Sequence, residues 1–248
     1  MAKEAKKKLP QFTTPRGTFV YPKLTEPDYG TKDYPKPDGE YSLKLRMSRE
    51  DAEAFVNRKN KDGVSVQSLY DDAMREAEAA FAELKVETRK KLGAVKPNEL
   101  YTVLYDQETE EPTGEVEFKF KMKASGETKK GPRAGTKWSR KPDLFDAKGR
   151  KIGGGVNIWG GSEGKVSFVG SPYFIPGTAA AGLRLMLGGV QVIELVSNGS
   201  RAADSYGFGQ EEGFGYDPDE YRGEEEEGGD TSDSDNEGGS AAKGEEDF

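Results

Sequence analysis

Lys119, Lys121 and Lys123 stand two residues apart, with Phe120 and Met122 between them and Phe118 just before. On an extended chain alternate residues share a face, so the three ammonium groups line one side and the apolar set the other. A row of cations at that pitch can follow a string of phosphates. The excess of bases continues past the row. Residues 119–151 hold 12 Lys+Arg against Glu127, Asp143 and Asp146, and Lys129, Lys130, Arg133, Arg140 and Lys141 follow the row closely. The plain alternative is a solvated strand face whose lysines guard against edge pairing. Bases running on through the neighbouring loop favour anion binding.

Aromatic residues lie among these bases or in glycine-rich stretches: Trp138, Trp159, Tyr173 and Phe174. An exposed ring can stack an unpaired base, worth about 1–3 kcal/mol per base and indifferent to sequence. Trp138 sits in a polar, basic stretch and is poorly explained as core. Trp159 fits core and surface equally, and one of the Tyr173 and Phe174 rings is expected inside. The segment Gly160-Gly161-Ser162-Glu163-Gly164-Lys165 fails as a nucleotide phosphate loop. Trp159 and Val166 occupy the places that must be Gly and Ser or Thr. A sharp hairpin turn is expected there, with Lys165 in reach of a phosphate.

The 248 residues contain no cysteine and no histidine. Thiol nucleophiles, disulfides, Cys/His zinc sites and histidine-based triads are thereby excluded. A carboxylate-held metal stays open, yet the acids crowd near the C-terminus, where nothing would hold them to the tolerance catalysis needs. No catalytic residue, cofactor or metal site is expected. Three readings remain: a nucleic-acid binder, an acidic-tailed chaperone or scaffold for basic proteins, and a metal-dependent nuclease or nucleotidyltransferase.

The elements that must position these residues are mainly β. Residues 16–21 form a short strand candidate, followed by a Pro/Gly/Asp-rich loop through Gly39. Tyr41, Leu43, Leu45 and Met47 alternate with polar neighbours, as in a half-buried strand. Ser48 with Asp51 starts a short helix ending near Asn60. After Ser65, apolar residues from Val66 to Leu84 recur at helical spacing, and Gly93 closes the segment. Beyond Leu100 short alternating runs dominate. Gly153–Gly155, Gly160–Gly161 and Gly188–Gly189 mark turns, bulges or corners. Several short strands with one inserted helix predict a small closed barrel, the OB-fold first among candidates.

Charge divides the chain. The net of −8 averages a body of +7 (residues 1–201) and a stretch of −15 (residues 202–248). Residues 1–14 read as a flexible basic arm, 15–197 as the barrel domain and 198–248 as a disordered acidic tail. The N-terminal residues lack the apolar core of a signal peptide, and no apolar run could span a bilayer. A cytoplasmic protein, not secreted, is expected.

In order along the chain, a set of short matches resembles the single-stranded DNA-binding proteins of T-seven-type bacteriophages. They are Met1-Ala2-Lys3, Pro27-Asp28-Tyr29-Gly30, Gly39-Glu40-Tyr41, Phe118-Lys119-Phe120-Lys121 with Ala124-Ser125, and Asp146-Ala147-Lys148-Gly149-Arg150-Lys151. The glycine cluster before Lys165-Val166, Pro172-Tyr173, Val192-Ile193-Glu194-Leu195 and the ending Asp247-Phe248 complete them. The resemblance implies an OB-fold with a capping helix that dimerises, coats single strands in replication and recombination, and promotes annealing. It implies that Lys3 and Tyr173 touch DNA. It implies too that the tail, with Glu245, Glu246, Asp247 and above all Phe248, binds the phage DNA polymerase and helicase-primase in the infected host's cytoplasm. The segment 93–115 and the more basic loop 126–141 depart from the pattern.

Overall fold

The computed structural model describes residues 9–129, 131–153 and 155–196. The first strands are β1 (Gln11–Thr13), β2 (Gly17–Gly30) and β3 (Pro35–Ser48), followed by helices α1 (Arg49–Asn57), α2 (Val66–Ala82) and α3 (Val86–Leu92). Then come β4 (Lys96–Pro97), β5 (Thr102–Tyr105), β6 (Pro112–Lys123), β7 (Ser125–Glu127), β8 (Lys137–Ser139) and β9 (Asp143–Phe145). The long strands β10 (Glu163–Ile175) and β11 (Ala180–Glu194) close the series.

Five strands close on themselves. β2 pairs β3, β3 pairs β6, β6 pairs β11, and β11 pairs β10. β10 returns to β2 through Glu163↔Thr18 and Gly164↔Gly17. Every pairing in the ring is antiparallel except β6–β11, and the result is the five-stranded barrel of an OB-fold. The predicted fold class is the observed one.

Alternation fills the interior. Phe19, Leu43, Leu45, Val116, Phe118, Phe120, Val166, Phe168 and Val190 are all fully buried, drawn from all five strands. Phe118, Phe120 and Phe168 form a chain of ring contacts, with Phe120 and Phe168 centred 5.0 Å apart. Phe55 of α1 meets Phe118 and Phe168 edge-on at 5.9 and 6.1 Å, joining the helical layer to this core. Ser48 caps α1, its hydroxyl accepting from the Asp51 N–H at 3.1 Å. Ser65 and Ser68 exchange bonds at the start of α2. Where β10 passes from β11 to β2, a side chain at Gly164 would put its Cβ 2.0 Å from the Gln191 carbonyl oxygen and 2.6 Å from the Phe19 ring. Only glycine permits that approach. Gly188 stands unpaired between Ser167↔Gly189 and Phe168↔Leu187, as a bulge.

Three expectations are corrected. The supposed loop up to Gly39 is mostly strand: β2 and β3 run on as a ribbon of 14 residues each. Its prolines are tolerated because the ladder slips three times, between Val20 and Lys23, Lys23 and Asp28, and Asp28 and Gly30. Lys36, which donates to Asp28 and Glu40, pins it. The single helix expected up to Gly93 is two. α2 ends at Ala82, where the Glu83 N–H turns back to the Phe81 carbonyl and leaves the helical ladder; α3 follows and Gly93, at φ +80°, ends it. Lastly, residues 11–13 of the supposed arm form β1, paired with β10. Among the described residues no helix is long and apolar enough to cross a membrane.

Candidate nucleic-acid interface

The alternation that buries Phe118 and Phe120 turns Lys119, Lys121 and Lys123 outward. The register brings β3 into the same face: Lys44 lies opposite Lys119, Ser42 opposite Lys121, Glu40 opposite Lys123 and Arg46 opposite Glu117. Like charges directly opposite are unfavourable, and here nothing in the pairing avoids them. Glu117 offsets part of the cost from one side. Its carboxylate accepts from Lys44 at 2.8 Å and from Arg46 at 2.9 Å. Burial pushes the Glu117 carboxyl up, but those hydrogen bonds outweigh it and hold the group below its ordinary value. Lys121 and Lys123 rest on Glu40 (2.9 Å) and Asp38 (2.6 Å). Lys119 has no such carboxylate among the described residues. Neighbouring Lys121, together with partial burial and with Lys44, lowers its pKa from the ordinary lysine value despite Glu40. An anion placed over Lys119 would relieve that repulsion.

An aromatic ring adjoins the cations. At Tyr21 the β2 ladder slips and the backbone takes φ +48°, a conformation costly for a bulky residue. The bulge turns the ring to solvent, 78% exposed, with the Lys44 ammonium 5.9 Å from its centroid. The turn carrying Trp159 is fastened to the same stretch, the Gly161 N–H donating to the Phe19 carbonyl at 2.9 Å. Trp159 is 47% exposed, which settles it as a surface ring beside β2.

The basic face extends past the end of β6. β7 and β8 form a separate hairpin bearing exposed Lys129 and Arg133. Trp138 is half-buried on Gly126, and the Arg140 guanidinium covers it at 5.0 Å. Arg140 also donates to the Lys123 carbonyl at 3.1 Å, tying hairpin to row. Lys141 is exposed just beyond.

Not all the expected residues converge. Lys165 is half-buried on β10 opposite Gln191, away from the β3–β6 wall. Tyr173 lies across β11 from the lysine row; its hydroxyl accepts from Asn98 at 2.6 Å and Arg184 stacks on its ring at 4.8 Å. Neither Tyr173 nor Phe174 enters the core, contrary to expectation; both are half-buried, because β10 here outruns the barrel interior. Lys3, Lys130, Glu245, Glu246, Asp247 and Phe248 lie outside the described residues.

A family model described as single-stranded DNA-binding protein, bacteriophage T7, matches residues 16–195. The chain belongs to this family. Its match spans the whole barrel from the start of β2 to the end of β11, and so both strands of the cationic face. Over 225 residues the chain is 29% identical to the single-stranded DNA-binding protein of Enterobacteria phage T3, covering 88% of each. It is 28% identical over 215 residues to that of Escherichia phage T7, covering 82% of this chain and 84% of the relative. The crystal structure of gp2.5, a single-stranded DNA-binding protein encoded by bacteriophage T7, superposes with a TM-score of 0.55 at 23% identity. It covers 85% of this chain and all of the other, a likeness of fold.

Sequence reasoning missed Tyr21, Lys44 and Arg46. The two bases were readable as the polar partners of Leu43 and Leu45, but only the register places Lys44 against Lys119. For Tyr21 no sequence signal exists, since its exposure comes from a slip in the ladder.

Proposed function

We propose that this protein binds single-stranded DNA without sequence preference, along the outer face of β2, β3 and β6. One observation carries the reading: Lys44 and Lys119 are directly opposed on a strand face, with an exposed ring at Tyr21 beside them. In this reading phosphates take the place of Glu40 and Asp38 on Lys121 and Lys123. The Lys123–Asp38 pair is exposed and worth about 0–1 kcal/mol, and the more buried Glu40 keeps Lys36 as a partner when Lys121 turns to a phosphate, so the exchange is inexpensive. Unpaired bases stack on Tyr21 and Trp159, and Lys129, Arg133, Arg140 and Lys141, with Trp138, prolong the track. A duplex keeps its bases stacked on one another and offers none to these rings. Membership of a family named for single-stranded DNA binding supports the reading.

The role is coating and annealing strands during phage replication. Lys3 and Lys130 are further contacts on this account, and Lys165 and Tyr173, which lie off this face, are contacts of a strand that runs on past it. The acidic stretch 202–248 competes with DNA for the basic face and, through Glu245, Glu246, Asp247 and Phe248, recruits the DNA polymerase and helicase-primase; the chain works as a homodimer. Titrating fluorescent single- and double-stranded oligonucleotides tests the core of this reading: the single strand binds much more tightly. Equal affinity for both would refute it. Removing residues 202–248 raises affinity for the single strand if the competition is real, and leaves it unchanged if it is not.

A further inference from the structure

On another wall of the barrel lies a groove of about 410 Å³ between β1 and the turn that follows α1. Phe12 and Phe55 floor it, and Arg58, Lys59 and Lys61 line it as exposed bases. Among the described residues none of these three makes a salt bridge. This contrasts with the main face, where Lys44, Lys121 and Lys123 are all engaged by carboxylates.

The bases are held by a built turn. Asn60 accepts from the Asp62 and Val64 N–H groups at 2.9 and 3.1 Å, and its amide nitrogen donates to the Gln11 carbonyl at 3.1 Å. Arg58 donates to the Thr13 carbonyl at 3.3 Å, its guanidinium 5.8 Å from the Phe55 ring. The turn is thus bonded to β1 at two points, which holds the Arg58 guanidinium and the stretch of backbone that carries Lys59 and Lys61 against β1. β1 takes up the edge of β10 where β2 leaves it. The groove therefore lies round the barrel from Lys44, past β2.

We propose that this groove is a second phosphate-binding subsite, holding the continuation of the single strand once it has passed over β2. The proposal rests on the reading of the main face as a single-stranded DNA site. An open groove lined by three bases that meet no carboxylate among the described residues suits a phosphodiester chain, which runs along a row of exposed cations.

The test compares the full chain with its K59A/K61A variant, which leaves the Arg58 and Asn60 bonds intact. Polarisation titrations use oligodeoxynucleotides of about 5 and about 15 nucleotides, spanning the range of site sizes for one OB-fold. With the longer strand, losing two phosphate contacts flattens the slope of log affinity against log salt by about 1.4. Raising salt fourfold then costs the wild type about sevenfold more affinity than it costs the variant. The short strand, filled by the main face, binds both proteins alike. An unchanged slope with the longer strand overturns the proposal while leaving the main face standing. So does a gain in affinity, the signature of a groove occupied by the protein's own acidic stretch. If the wild type binds neither strand, the main-face reading falls and takes the subsite with it.

Discussion

Tyr21 and Lys119 are the two residues whose environments are least explained by folding alone. Tyr21 holds a left-handed backbone conformation in which a bulky side chain costs about 1–2 kcal/mol. Asparagine tolerates that conformation and cannot stack a base. Tyr21→Asn is therefore expected to keep or raise thermal stability while weakening single-strand binding by about 1–3 kcal/mol, both read on one preparation by melting and by titration. Loss of stability with unchanged binding would make the ring structural. Lys119 gives a pH prediction. Its pKa is lowered in the free protein, chiefly by Lys121, and a phosphate beside it raises the value again. Between the two values the complex holds more protons than the free protein, so affinity falls as pH rises through that alkaline window. Lys119→Ala should flatten the decline, and parallel pH profiles for wild type and variant would remove Lys119 from the site.

At the level of elements, β6 was readable because its alternation is unbroken, and the lysine face followed from the same pattern. Ser48 and Ser65 likewise marked the starts of α1 and α2. The β2–β3 ribbon was not readable, since Pro22, Pro27, Pro35 and Pro37 belong to loops unless a slipping ladder spares their missing N–H groups. Nor could spacing give the register that sets Lys44 against Lys119, because that depends on how two strands distant in the chain meet. The closure of the barrel is equally non-local, and Gly164 is where it can be tested. A Cβ there would meet the Gln191 carbonyl, a backbone atom that cannot step aside. Gly164→Ala should cost about 3 kcal/mol or more in urea unfolding. A neutral substitution would mean that β10 does not pass between β2 and β11 as described.

Over the whole molecule, the charge division legible in composition becomes a question of surface. The body's +7 is not spread evenly: acids on β3 neutralise part of one wall, whereas among the described residues the bases of the groove beside β1 meet no carboxylate. Electrostatic binding to a single strand leaves a direct signature, a linear fall of log affinity with log salt of about 0.7 per phosphate neutralised. The most direct measurement is that slope for the full chain and for a variant with Lys119, Lys121 and Lys123 all changed to alanine, on homopolymers of different base. The barrel face predicts a slope shallower by about 2 in the variant, by the same amount for every base. A slope that does not change, or that changes for one base only, would contradict the face as the place where the strand is held.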